Sequence, residues 1–245
     1  MESEAINYSV VVPVYNSADT LGELHERLTR TMQSLGGTYE IIMVDDGSTD
    51  TSPHLIEQLA SVDPCLRCIR LVSNVGQHRA VMRAFREVRG RYIITIDDDL
   101  QYLPEDIPNL LAAMAENPSP DIVIGVPRDK KQTSFRKLLS LLFHQANTFL
   151  LNQKPTIIIT PFKVISRELT EKLLVTPPGR FATIGTALLL LKPTIVNVPI
   201  THSLRNRGSS GYGFLKMARI ARDLVGFYFS VIFDRKKPRS QKKYD

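Results

Sequence analysis

Three consecutive carboxylates, Asp97-Asp98-Asp99, follow the apolar run Tyr92 to Ile96, and two more, Asp45-Asp46, follow Glu40 to Val44. Carboxylates held side by side repel one another unless a cation neutralises them. Mg2+ or Mn2+ suits such hard oxygen ligands, and a diphosphate whose departing charge the metal stabilises is its natural companion. A solvated acidic turn is the plain alternative for Asp97 to Asp99. Position argues against it, because Tyr15-Asn16, Asp45-Asp46-Gly47-Ser48, Asn74 to Gln77 and Asp97 to Asp99 each come directly after an apolar, β-rich run. Gly47, Ser48 and Thr49 read as a turn and a helix cap whatever binds there. That leaves Asp45 and Asp46 to accept hydrogen bonds from a base or ribose.

These clusters need elements to hold them. Tyr8 to Val14, Glu40 to Val44, Leu66 to Val72 and Tyr92 to Ile96 read as strands, and Ala18 to Leu35, Thr51 to Ser61 and Gln77 to Val88 as the helices between them. Such alternation predicts an α/β fold with a mainly parallel sheet covered by helices on both faces. In these sheets ligands bind beyond the carboxyl ends of the strands, where the polar clusters fall. Asp121 to Val126 predicts a further strand. Beyond it the pattern loosens: Phe135 to Leu151 reads as a helix, Thr156 to Ile165 is β-branched but broken by Pro161, and Ala187 to Val198 is strand-like but split by Pro193. Asn206 to Gly213 is a glycine-serine loop between basic residues, and Phe214 to Phe233 an amphipathic helix that turns wholly apolar.

At 245 residues, 43% of them hydrophobic, the chain can build a sizeable core, and we expect one domain over residues 1–212 with a helix and basic tail at 213–245. The short polar start before Tyr8 suggests a cytoplasmic protein. Cys65 and Cys68 have no second pair and no nearby histidine, which favours a structural role over a metal or redox one. Charge is divided: residues 1–127 carry 9 Lys+Arg against 19 Asp+Glu, net −10, and residues 128–245 carry 22 against 6, net +16. The first half suits a cation and the second an anionic partner such as a phosphate or a membrane surface. A nucleic-acid module would account for the basic tail but not for the acidic half.

Val12-Pro13-Val14-Tyr15-Asn16, Asp45 to Asp50, Asn74-Val75-Gly76-Gln77 and Asp97-Asp98-Asp99-Leu100-Gln101 together resemble the motifs of family 2 glycosyltransferases of the GT-A fold, most closely the dolichyl- and polyprenyl-phosphate sugar synthases. The resemblance implies an inverting, metal-dependent transferase using a nucleotide-sugar donor, with residues 1–127 as the nucleotide and metal half and 128–212 as the acceptor half. It places a metal at Asp97, Asp99 and Gln101, and the nucleotide among Pro13, Tyr15, Asn16, Asp45, Asp46, Gln77 and Asp98. Gly125-Val126-Pro127-Arg128 and Phe135-Arg136-Lys137-Leu138-Leu139-Ser140 resemble segments that grip the phosphate of a polyprenyl lipid. Arg205, Gly208, Ser210 and Tyr212 resemble the loop that closes over it. Arg128, Arg136 and Arg205 would then orient the attacking phosphate, helped by Ser140 and Ser210, through charge-assisted hydrogen bonds.

One absence bears on the acceptor. A sugar hydroxyl usually needs a general base, typically a carboxylate, whereas a phosphate is already ionised near neutral pH. No acidic residue lies between Asp129 and Glu168 or between Glu171 and Asp223, and Glu168 and Glu171 read as solvated charges on a surface helix. The second half therefore fits a phosphate nucleophile. Two departures bear on acceptor identity: the chain reads Ile159-Thr160-Pro161-Phe162-Lys163 where relatives have an acidic residue and glycine before Phe-Arg-Leu, and Gly211 where a lysine often follows the serine. Leu224 to Phe233 is too short to span a bilayer, which takes about 20 apolar residues. With the flanking basic residues, 214–243 suits an anionic membrane interface or a docked helix equally, and the apolar segment could also pair two copies of the chain.

Overall fold

A computed structural model describes residues 5–116, 118–128, 159–176, 184–185 and 191–201. β1 (Tyr8–Val14), β2 (Tyr39–Asp45), β3 (Leu66–Arg70) and β4 (Tyr92–Thr95) alternate with α1 (Ala18–Leu35), α2 (Ser52–Val62) and α3 (Gln77–Phe85). A short 3-10 turn at Pro104–Asp106 leads into α4 (Ile107–Met114), and β5 (Ile122–Pro127), β6 (Lys163–Ser166), α5 (Arg167–Val175) and β7 (Ile195–Ile200) follow. Among the described residues the strands form one sheet in the order β3-β2-β1-β4-β6-β5-β7. The pairs β1/β2, β1/β4, β2/β3 and β5/β7 are parallel, and β6 runs antiparallel between β4 and β5.

Strand alternation explains how both faces are covered. Val10, Val12 and Val14 point with Ile41 and Met43 into a core shared with α1, α2 and α4. Val11, Ile42 and Val44 point the other way, to pack with Ala80, Val81, Ala84 and Phe85 of α3 and Leu169 and Leu173 of α5. These strands are therefore buried on both sides and read as continuous apolar runs.

Several boundaries differ from the sequence expectation. β3 stops at Arg70, because Val72 is fully exposed and belongs to the following loop. α3 ends at Phe85 rather than Val88. Of Thr156 to Ile165 only the last residues enter β6, since Pro161 occupies a turn, and β7 begins beyond Pro193 and runs to Ile200. α4 has no counterpart in the sequence reading. It is short, carries Pro108 in its first turn and buries Ile107, Leu110, Leu111, Ala113 and Met114, so it shows little polar contrast. The expected helices at Phe135–Leu151 and Phe214–Phe233 and the Asn206–Gly213 loop lie outside the described residues.

Candidate active site

Sheet order reverses at β1, which has β2 on one side and β4 on the other, so a crevice opens beyond the carboxyl ends of β1 and β4. Tyr15-Asn16 and Asp97–Asp99 flank it. Because β5 and β7 run parallel to β4 and β6 runs opposite, Arg128, Thr201 and the start of β6 at Lys163 reach the same edge. The strand ends thus bring the acidic motifs and Arg128, the first basic residue of the net-basic stretch 128–245, to one side of the sheet.

The loops at this edge are tied to one another by the residues the motifs supply. Asp98 Oδ2 accepts hydrogen bonds from Tyr15 N at 3.1 Å and Ser17 Oγ at 2.6 Å, and Thr20 Oγ1 donates to the Asp98 carbonyl at 2.6 Å. Asn16 takes a left-handed backbone, φ 53°, and links to the next loop: its N–H donates to Ser48 Oγ at 3.0 Å and its Oδ1 accepts from Thr49 N at 2.8 Å. Both Asp46 oxygens accept backbone N–H groups of the third loop, from Val75 at 2.7 Å and Gly76 at 2.8 Å. Asp45 is wholly buried; Oδ1 caps Ser48 N at 3.0 Å, and Oδ2 faces Arg70 Nε at 3.8 Å without a hydrogen bond. Asp45, Asp46 and Asp98 accordingly act first as braces, while Pro13 lines the cavity beside Asp97. Tyr15 keeps 47% of its surface exposed, leaving its ring free to cover a planar ligand.

Asp97 differs from its neighbours. Gln77 Nε2 donates to Asp97 Oδ1 at 2.5 Å. Burial, and then the charges of Asp99 and Asp98, push the Asp97 carboxyl up to about 7, with Lys163 and Gln77 pulling the other way. Asp99 Oδ1 accepts from Gln101 N at 3.2 Å across Leu100, whose φ of 57° folds the motif back on itself. Crowded carboxylates of this kind fit a divalent cation. Among the described residues no three His, Cys, Asp or Glu side chains converge tightly enough to hold a metal by themselves, since Asp98 is turned towards Tyr15 and Ser17. A metal held by two carboxylates and completed by phosphate oxygens and water matches that arrangement.

Behind Asp97 lies a cavity of about 230 Å³. Gln77, His78, Thr160 and Lys163 supply its polar lining, and Pro13, Val81, Ile96, Ile159 and Ile184 its apolar walls. Lys163 heads β6 and is 7% exposed. Its Nζ donates to the carbonyls of Thr160 at 2.7 Å and Pro161 at 3.2 Å. Burial lowers its pKa to about 8, partly offset by Asp97, so it carries its charge at neutral pH. His78 is solvent-accessible at one side, yet the protein packed around its ring, with Lys163 adding to the effect, holds it below the ordinary histidine value, and it is neutral at pH 7. Neither residue emerged as a site residue from the sequence. A lysine at the head of an apolar strand, between Phe162 and Val164, was the available signal.

Arg128 is exposed at the end of β5, its N–H bonded to the Ile200 carbonyl at 3.2 Å. Arg136, Ser140, Arg205 and Ser210 lie outside the described residues. Glu168 and Glu171 are placed far from the site. α5 starts where β6 ends, at the opposite edge of the sheet, with Arg167 N bonded to the Arg91 carbonyl just before β4. There the two glutamates pair with Lys172 at 2.7 Å and Arg167 at 3.0 Å.

Comparison with known proteins bears on this geometry. The family model for glycosyl transferase family 2 matches residues 9–174. Among solved structures, a mannosyltransferase from Pyrobaculum calidifontis in complex with GDP-mannose and Mn2+ is similar with TM-score 0.66 and 22% identity, over 95% of this chain and 66% of that one. Glucosyl-3-phosphoglycerate synthase from Mycobacterium tuberculosis, in complex with Mn2+, UDP and glucosyl-3-phosphoglycerate, gives TM-score 0.66 and 19% identity over 92% and 80% of the two chains. Mannosyl-3-phosphoglycerate synthase from Rubrobacter xylanophilus gives 0.68 and 15% over 98% and 78%. At these identities the structures testify to a shared fold.

Proposed function

Because the chain belongs to glycosyl transferase family 2, we propose that it moves a sugar from a nucleotide-diphosphate sugar to the phosphate of a polyprenyl lipid, with inversion at the anomeric carbon. Asp46, Tyr15, Pro13 and Asn16 hold the nucleoside, and Asp45 and Asp98 keep their loops in place. A divalent cation, Mg2+ or Mn2+, bound by Asp97 and Asp99 with Gln101 beside them would neutralise the charge growing on the departing diphosphate. Mn2+ in complexes of the mannosyltransferase and the glucosyl-3-phosphoglycerate synthase supports that metal. An acceptor phosphate oxygen forms the new bond to the anomeric carbon as the bond to the β-phosphate oxygen breaks, and the electron pair leaves with the nucleoside diphosphate. Arg128, with Arg136, Ser140, Arg205 and Ser210, orients the attacking phosphate.

The observation that carries the acceptor is the position of Glu168 and Glu171. Among the described residues of the second half they are the acidic ones, and both are ion-paired at the edge of the sheet away from Asp97. A phosphate needs no base, so their distance costs the reaction nothing. The second reading is transfer to a hydroxyl of a polysaccharide or lipid-linked sugar; the names of the two phosphoglycerate synthases likewise give acceptors other than a polyprenyl phosphate. Among the described residues no helix is long and apolar enough to cross a membrane. Contact with a lipid substrate would fall to residues 214–243, which lie outside the described residues and whose basic, apolar sequence suits an anionic membrane surface or a docked helix.

The test incubates the protein and its Asp99→Ala variant with Mn2+ or Mg2+, labelled nucleotide sugars and a polyprenyl phosphate, and counts label extracted into organic solvent. Metal-dependent extraction lost in the variant supports the lipid acceptor. Nucleotide release without extraction supports the second reading.

A further inference from the structure

The cavity behind Asp97 contains a cation that the metal and nucleotide chemistry does not use. Lys163 has three N–H donors, two of which are spent on the Thr160 and Pro161 carbonyls. Among the described residues the third has no acceptor, and no carboxylate forms an ion pair with the ammonium. Burying a charge so incompletely paired is costly unless something completes it. Asp97 offsets part of that cost, and the cavity that Lys163 lines is where a ligand can supply the remaining acceptor.

The cavity also limits what that group belongs to. At about 230 Å³ it falls below the roughly 300–1,000 Å³ of sites that enclose a whole drug-sized ligand, so it takes one part of a larger substrate. Polar groups from Gln77, His78, Thr160 and Lys163 face apolar walls from Val81 and Ile184. A pyranose ring has that division, with hydroxyls around its edge and C–H groups on its faces. Lying between Pro13 on the nucleotide side and Thr160 on the acceptor side, with Asp97 in its wall, the cavity adjoins the point where the sugar must leave the diphosphate.

We propose that Lys163 determines donor specificity, giving its remaining N–H to a hydroxyl oxygen of the transferred sugar. Thr160 and Pro161 fix the ammonium through their carbonyls, and Thr95 Oγ1 bonds the same Pro161 carbonyl, so the donor has a set position. His78, which also lines the cavity and is neutral, adds one donor and one acceptor. The inference rests on the nucleotide-sugar reading above.

Equilibrium binding with Mn2+ tests it, comparing the intact nucleotide sugar with the corresponding nucleoside diphosphate in wild type and K163M. A hydrogen bond to a charged group contributes about 1.5–3 kcal/mol, so K163M should bind the nucleotide sugar at least about tenfold more weakly while its affinity for the nucleoside diphosphate stays within about twofold. Of a series of monodeoxy-sugar donors, one should bind wild type and K163M equally, because the group Lys163 reads is already gone. If K163M does not fold, K163Q, which keeps a carbonyl-binding donor without the charge, is measured in the same way. Equal losses for sugar nucleotide and diphosphate would assign Lys163 to the phosphates or to propping the site, and no loss for either would detach it from the ligand; both overturn the proposal. Wild type that binds no nucleotide sugar at all overturns the donor reading itself, a result distinct from a variant indifferent to the sugar.

Discussion

Asp97, Asp98 and Asp99 are consecutive in the chain but have separate tasks. Asp98 is bonded to the first loop, whereas Asp97 and Asp99 remain at the crevice. Asp99→Ala should therefore lower turnover by about 10²-fold or more with little change in melting temperature, as expected when a group stabilising developing charge is lost. Asp98→Ala should weaken both turnover and folding, the latter by about 1–3 kcal/mol, because Tyr15 N and Ser17 Oγ lose their acceptor. Activity assays and thermal melts on the two variants separate these outcomes. Glu40, at the other edge, is purely structural. Burial alone would raise its pKa, but hydrogen bonds from Ser9, the Arg89 backbone and the Arg67 and Arg89 guanidinium groups hold it below the ordinary glutamate value. A depressed folded-state pKa contributes stability above the unfolded-state value, and that stability is lost as pH falls through the folded one. Glu40→Gln should cost about 3 kcal/mol in urea unfolding at pH 7, and the gap between variant and wild type should narrow as the pH is taken down through the acid range.

The loop after β2 depends on one close approach. Gly47 has φ +69°, and a Cβ there would lie 2.6 Å from the carbonyl carbon of Ser73. Gly47→Ala should destabilise by about 1–3 kcal/mol and, because Asp46 is bonded across the same gap to Val75 and Gly76, weaken nucleotide binding as well. Titration calorimetry with the nucleoside diphosphate checks the second effect. Strands and helices up to Ile96 were legible in kind because β1, β2 and β4 are largely apolar runs and the helices amphipathic, while the ends of β3, which carries Arg67 and Arg70, and of α3 were overextended. α4 was not, since its surface is nearly all apolar. β6 was misjudged because its neighbours, not its residues, decide where pairing starts: Thr95 pairs with Lys163 only after the Pro161 turn. The acidic half of the site could be read from strand ends. Lys163 was passed over despite its signal, because the cavity it lines is formed by residues far apart in the chain.

Taken as one body, the chain sets a net charge of −10 in residues 1–127 against +16 in residues 128–245. If the basic half captures an anionic acceptor, raising ionic strength from low to physiological should raise the acceptor KM several-fold, as screening shortens the reach of exposed charge to about 8 Å. An unchanged KM in salt-series kinetics would mean that capture is left to buried contacts. The sheet of β1 to β4 continues into the rest of the described strands through one pair, where β4 meets β6 antiparallel. During synthesis, β1 to β4 are complete long before Lys163–Ser166 emerges. In that interval Tyr92–Thr95 is a bare parallel-sheet edge with unpaired N–H and C=O groups, open to a neighbouring nascent chain. The join that places Lys163 beside the acidic motif is thus also an edge at which the growing polypeptide is open to aggregation, and it is closed only when residues 163–166 arrive.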